Sequence, residues 1–159
     1  LEAAGVDMII ASGFEAGGHR PSFLASAESS LTGTFALVQL IKEKIKTPII
    51  AAGGIANGKG VAAALALGAD AVQIGTAFLA TNESNALPIH REMLFSDAAK
   101  YTTLSRAYTG RLGRGITSRI AKDLIGKEEN ILPFPLQTTL ISPLRKAALD
   151  QQKWDMGYN

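Results

Sequence analysis

Residues 6–11, "VDMIIA", are apolar almost without a break, the length and composition of a buried parallel strand. A loop rich in Gly, Ser and Ala follows from Ser12 to about Thr34. Phe35, Val38, Ile41 and Ile45 then recur at helical spacing, with Lys42, Glu43 and Lys46 elsewhere around the helix. Pro48 opens a second strand over 49–52, closed by Gly53-Gly54. Asn57 is placed to cap a second helix that carries Val61, Ala64 and Leu65 on one face and stops at Gly68. A third strand, 71–74, runs into Gly75-Thr76. Strands and helices alternating through short connections predict parallel pairing with right-handed crossovers. After Thr81 the pattern turns helical: "ALPIHREMLF" is amphipathic, and 117–125 and 142–152 are further helix candidates, with an extended connection marked by Pro133 and Pro135.

Three parallel strands leave both sheet edges with unpaired backbone groups. The expectation is therefore an α/β chain that is part of a larger barrel or open sheet, or one completed by a partner. Its opening, "LEAAGVDMII", lacks an initiator Met and reads as a helix end feeding a strand.

Composition narrows the chemistry. With 159 residues the chain can bury a real core. Sixteen Lys and Arg against fourteen Asp and Glu, scattered rather than striped, leave no footprint for nucleic acid. No apolar run reaches spanning length and no signal-peptide pattern opens the chain, so a cytoplasmic location is expected. The absence of cysteine excludes disulfides, thiolate metal sites and a cysteine nucleophile. Paired carboxylates, a serine nucleophile elbow and clustered metal ligands are also missing from the pattern, so no metal is expected. Chemistry carried by a bound organic cofactor is what remains.

All three strands end in glycine loops: Gly13 with Gly17-Gly18, Gly53-Gly54, and Gly75-Thr76. Glycine lets a backbone approach a ligand closely, and in an eight-stranded α/β barrel the last such loops often cradle phosphate. Tight turns with no ligand are the competing reading. His19, in the first loop, titrates near neutral pH and suits proton abstraction or anion binding; a loop-stabilising histidine is the alternative. Arg20 reads as a surface residue, with an anion contact as the alternative, and Glu15 as a loop-fixing acceptor rather than a general base. His90 is expected on an exposed helix position. "TGRLGRGI" (109–116) lacks the G-x-G-x-x-G dinucleotide spacing and no strand is expected before it, so it reads as a flexible basic loop, with a lid or an anion contact as the alternative.

"GFEAGGHRPSF", "PIIAAGGIANGKGVAAALALGADAVQIGTAFLATNES" and "TGRLGRGI" together resemble the nitronate monooxygenases, also called 2-nitropropane dioxygenases. The resemblance implies an FMN-dependent (β/α)8 TIM barrel that oxidises alkyl nitronates with O2 to carbonyl compounds and nitrite. It implies that 1–159 is the C-terminal portion of that single domain, with the last three βα units and the trailing helices, and that the N-terminal portion is absent. Ser12, Gly17, Gly18, Gly53, Gly54, Gln73, Ile74, Gly75 and Thr76 fall on positions expected to contact FMN, Ser12 where many relatives carry glutamine. His19 falls on the family's catalytic histidine. The partners implied are a small nitronate or nitroalkane and O2, with neither nucleic acid nor membrane; a homo-oligomer is compatible with this reading. Pro21 departs from the usual "GGHRG", and "KWDMGYN" from the usual ending, which Trp154 and Gly157 fit in part. Two other readings stand beside this one: an FMN-dependent enoyl-acyl-carrier-protein reductase-like enzyme using NAD(P)H, and a non-catalytic half-barrel.

Overall fold

The computed structural model describes residues 1–153 and 155, which form two compact units. The first comprises 1–17 and 21–78, the second 18–20 and 79 onward. Trp154 and Gly157 lie outside the described residues.

In the first unit, β1 (Ile9–Ser12), β3 (Ile49–Ala52) and β4 (Ala71–Gln73) form a parallel sheet in the order β1-β3-β4. The register sets Ser12 beside Ala52 and Ala52 beside Gln73. The three strand ends that carry the glycine loops are therefore aligned. Helices α1 (Thr34–Lys42) and α2 (Gly58–Ala66) make the crossovers. Asn57 caps α2 as expected, its Oδ1 accepting the Gly60 N–H at 3.1 Å. Gly68 ends the helix with φ +102°. Asp70 extends the β3–β4 ladder: its Oδ2 accepts the Ile49 N–H at 2.8 Å, and Lys42 Nζ lies 3.1 Å from the same oxygen.

The core of this unit is Ala11, Val38, Ile49, Ala51, Ala64 and Ala69, with Leu37, Ile41 and Val72 packed against it. Central β3 is well buried, but the expected burial of β1 is incomplete. Ile10 is 53% exposed because β1 is an edge among the described strands, and one face is uncovered.

The second unit departs from the all-helical expectation. The two-residue strand β2 (Gly18–His19), β5 (Thr102–Ser105) and β6 (Gly113–Ile116) form an antiparallel sheet in the order β2-β6-β5. Short length hid these strands: "TTLS" and "GRGI" show no alternation long enough to read. "TGRLGRGI" is thus preceded by a strand and ends in one, not a free loop; Leu112 and Gly113 are buried. Helices α4 (Pro88–Leu94), α5 (Arg119–Leu124) and α6 (Leu136–Asp150) follow the predicted order, α6 starting earlier than 142. The short helix α3 (Thr76–Leu79) precedes them. Ala107, Tyr108, Ile120 and Ile141 form this unit's core. No helix among the described residues is long and apolar enough to cross a membrane.

Candidate functional site

In the first unit the glycine loops divide into two kinds. Gly53 has φ +111°, and a Cβ there would sit 2.8 Å from the Ala16 backbone nitrogen and 2.9 Å from Thr34 Oγ1. Gly54 has φ +69°, with a Cβ 3.3 Å from that of Glu15. A Cβ at Gly17 would meet Thr76 Oγ1 at 3.3 Å, which brings the ends of the first and third loops together. Internal packing and backbone conformation account for Gly53 and, in part, for Gly54. Gly75 is different: its φ is not in the left-handed region, and a Cβ added there would meet nothing within 4 Å. Nothing among the described residues requires glycine there.

The N–H groups of Gly53, Gly54 and Gly75 donate to no backbone carbonyl among the described residues. Ser12 and Ile74 are half-buried, and Gln73 and Thr76 exposed, at the same aligned strand ends. Glu15 fixes its loop as expected. Its Oε2 accepts both the N–H and the Oγ1–H of Thr34 at 2.9 Å, at the start of α1. Thr34 Oγ1 also lies 2.9 Å from the Gly53 carbonyl, so Glu15, Thr34 and the Gly53 turn are joined in one network.

In the second unit His19 is exposed but held on three sides. Its Nε2 is 2.8 Å from Thr109 Oγ1. The Phe134 ring stands edge-on at 6.1 Å and 84°. A Cβ on Gly113 would come within 3.2 Å of His19 Cδ2, so glycine admits the ring there. Partial burial, and secondarily the Arg111 charge, pushes the His19 pKa below its ordinary 6.5. The ring is neutral near pH 7, the state of a base rather than of an anion-binding cation. Gly18, with φ +77° and open space at its Cβ position, precedes it.

Two other expectations are overturned. Arg20 is 2% exposed, not a surface residue. Its N–H extends the β2–β6 ladder to the Leu112 carbonyl at 2.9 Å, and its carbonyl accepts from Arg111 Nη2 at 3.3 Å. Pro21, without an N–H, ends that ladder. His90 is half-buried on α4 rather than exposed, and burial lowers its pKa as well.

Sequence reasoning missed Thr109, Gly113 and Phe134 as the surroundings of His19. The signal available was Thr109-Gly110 as a turn feeding a strand. Gly110 has φ +79° and lies so close to the Leu132 carbonyl that no Cβ fits. Gln137 ties the same two segments: its Nε2 donates to the Ala107 carbonyl at 2.8 Å and its Oε1 accepts the Leu132 N–H at 3.0 Å.

Known proteins share this arrangement of elements. The family model described as "Nitronate monooxygenase" matches residues 1–158. A probable nitronate monooxygenase of Staphylococcus aureus (strain Newman) is 43% identical over 148 residues, covering 92% of this chain and 42% of the relative. Among solved structures, nitroalkane oxidase from Streptomyces ansochromogenes superposes with a TM-score of 0.89 at 41% identity, covering 98% of this chain and 45% of that one. FabK from Thermotoga maritima gives 0.76 at 34% identity, covering 99% and 47%. The chain thus spans less than half the length of these relatives.

Proposed function

Because this chain belongs to the nitronate monooxygenase family, we propose that it serves FMN-dependent oxidation of nitronates and nitroalkanes by O2, giving carbonyl compounds and nitrite. The observation that carries the reading is His19, held at Nε2 by Thr109 Oγ1 at 2.8 Å, with burial pushing its pKa below the ordinary 6.5. A neutral nitroalkane must lose its α-proton before oxidation, and a neutral imidazole accepts that proton. A nitronate supplied as the anion needs no such step.

The first unit's strand ends fit the phosphate end of a flavin mononucleotide. Gly75 leaves its backbone open to close approach, and the N–H groups of Gly53, Gly54 and Gly75 are not used by backbone carbonyls among the described residues. Gly75 and Thr76 would hold the phosphate, with Ser12, Gly17, Gly18, Gly53, Gly54, Gln73 and Ile74 as the other proposed contacts. Bound FMN supplies the redox chemistry. The protein's part is to bind and orient the substrate, to move the proton at His19 and to exclude water.

We assign the chain to the C-terminal portion of a (β/α)8 barrel. Both β1 and β4 are edges among the described strands, and Met8, Ile10, Phe35 and Leu40 are exposed apolar residues of that unit. In a closed barrel every strand edge is paired.

The test uses the complete native polypeptide loaded with FMN. Nitrite release from a nitroalkane in air, without NAD(P)H, is expected. His19→Asn should retain flavin and lose most turnover of neutral nitroalkane. Strict dependence on NAD(P)H with an enoyl thioester, or failure to retain flavin, would overturn the proposal.

A further inference from the structure

We infer that Thr109 is a positioning residue that selects the Nε2–H tautomer of His19 and so makes Nδ1 the proton-accepting atom. This rests on the proposed role of His19 as the base and adds which nitrogen acts and what sets it.

The hydrogens available at one oxygen decide the tautomer. Thr109 Oγ1 has one proton and two lone pairs. Three groups lie within its reach: His19 Nε2 at 2.8 Å, the Arg111 N–H at 3.2 Å and the Arg111 carbonyl at 3.2 Å. The Arg111 N–H can only donate, so it takes a lone pair. The Arg111 carbonyl can only accept. If the hydroxyl proton goes to that carbonyl, the second lone pair receives a proton from Nε2, and all three contacts are hydrogen bonds. If the hydroxyl proton goes to Nε2 instead, the carbonyl loses its partner there and only two bonds form. The three-bond arrangement requires Nε2–H and leaves Nδ1 with its lone pair.

The rest of the surroundings agree. The Phe134 ring borders the imidazole edge-on, Gly113 lies against its Cδ2 side, and no hydrogen bond at Nδ1 is made among the described residues. Charged side chains on the packed elements are Arg20, Arg106, Arg111 and Arg114, all cationic, and the 132–136 segment carries none. None of them can accept a proton from Nε2–H. The tautomer is therefore set by Thr109 rather than by a carboxylate, the more usual orienting partner of histidine.

During proton abstraction the substrate Cα–H bond breaks, its proton passes to Nδ1, and the electron pair is delocalised into the nitro group as the nitronate. His19 becomes imidazolium, whose Nε2–H bond to Thr109 is charge-assisted and stronger than before. Thr109 thereby favours the protonated product of the step.

The experiment compares wild type, Thr109→Val and Thr109→Ser in the complete FMN-loaded protein labelled with 15N-histidine. Nitrogen chemical shifts of His19 read the tautomer directly, independently of turnover. Wild type and Thr109→Ser should show Nε2–H almost exclusively, with an unprotonated Nδ1, and Thr109→Val should fall back to the mixture of a free neutral imidazole, in which Nδ1–H is a clear minor form. With neutral nitroalkane, kcat should fall about tenfold in Thr109→Val, the scale of one hydrogen bond to a charged group. Turnover of preformed nitronate should hold. The acid limb of the nitroalkane profile should move to lower pH, because the imidazolium has lost an acceptor.

An Nδ1–H tautomer in wild type overturns the inference. So does equal loss on nitroalkane and nitronate with the tautomer unchanged. Should neither substrate turn over in wild type, the proposed activity fails, while the difference between the wild-type and Thr109→Val nitrogen spectra still decides the role of Thr109. Thr109→Ala, read the same way, takes its place if Thr109→Val does not fold.

Discussion

Glu15 and Thr34 are joined by two hydrogen bonds to one carboxylate oxygen, the Thr34 N–H and Oγ1–H both lying 2.9 Å from Glu15 Oε2. The contact closes the long loop after β1 onto the first residue of α1. It satisfies an amide that has no partner within the helix. Thr34 also reaches the Gly53 carbonyl and sits directly against Gly13, where no Cβ fits beside it. Glu15→Ala should destabilise the protein by about 1–2 kcal/mol, the usual cost of losing a cap of this kind. Thermal or urea unfolding measures it. Glu15→Gln, which keeps an acceptor oxygen, should recover part of the loss.

Gly53 and Gly75 make opposite predictions although both end parallel strands. Gly53→Ala forces a side chain into φ +111° and 2.8 Å from the Ala16 nitrogen. It should cost at least about 2 kcal/mol of stability and lower soluble yield. Gly75→Ala meets no protein atom within 4 Å and no unfavourable φ. Its unfolding midpoint in the apoprotein should stay within about 0.5 kcal/mol of wild type. Flavin retention after gel filtration should nevertheless fall, and more so with Gly75→Val. Unchanged retention in Gly75→Val would remove Gly75 from the phosphate cradle.

The parallel sheet, its crossover helices and the Asn57 cap were legible because each rests on local chemistry: continuous apolar runs, helical spacing, a capping side chain. Glu15 as an acceptor was legible for the same reason. The antiparallel sheet was not. His19 pairs with Gly113 and lies against Thr109 and Phe134, partners 90 or more residues away that no local pattern connects. Arg20 misled because arginine is ordinarily exposed; its burial follows from a ladder with Leu112 that the sequence does not announce. Glycine placement showed where backbones come close. It did not separate Gly53, which the packing demands, from Gly75, which it does not.

Gln137 is 1% exposed and bridges the Ala107 carbonyl and the Leu132 N–H. Gln137→Leu is close in size but leaves both backbone groups unsatisfied in a buried site. The expected cost is about 2–4 kcal/mol, from two such groups. Because Ala107 precedes Thr109 and Leu132 precedes Phe134, this variant should also disturb His19. A fall in nitroalkane turnover larger than that on nitronate, with flavin retained, is the expected kinetic pattern. Gln137→Glu, which cannot donate to Ala107 when ionised, should be intermediate in stability.

The histidines predict how stability depends on pH. Burial lowers the pKa of both His19 and His90 below the ordinary 6.5, with Arg111 adding to the effect at His19. In this range the unfolded chain binds more protons than the folded one, so unfolding free energy rises with pH. The two contributions are fully present above pH 6.5 and are lost as pH falls through the lowered folded values. A second loss follows in stronger acid. Asp70, lowered first by the Ile49 N–H and then by Lys42, stabilises the fold above its ordinary 3.8, and that contribution disappears as pH drops through its folded value. Melting temperature measured from pH 8 downward should therefore decline in two stages. His19→Asn and His90→Asn should each flatten the first stage and leave the second, and Arg111→Met should bring the His19 pKa nearer its ordinary 6.5 and so shrink its share of the first stage. A first stage unaffected by either histidine substitution would show that other groups produce it.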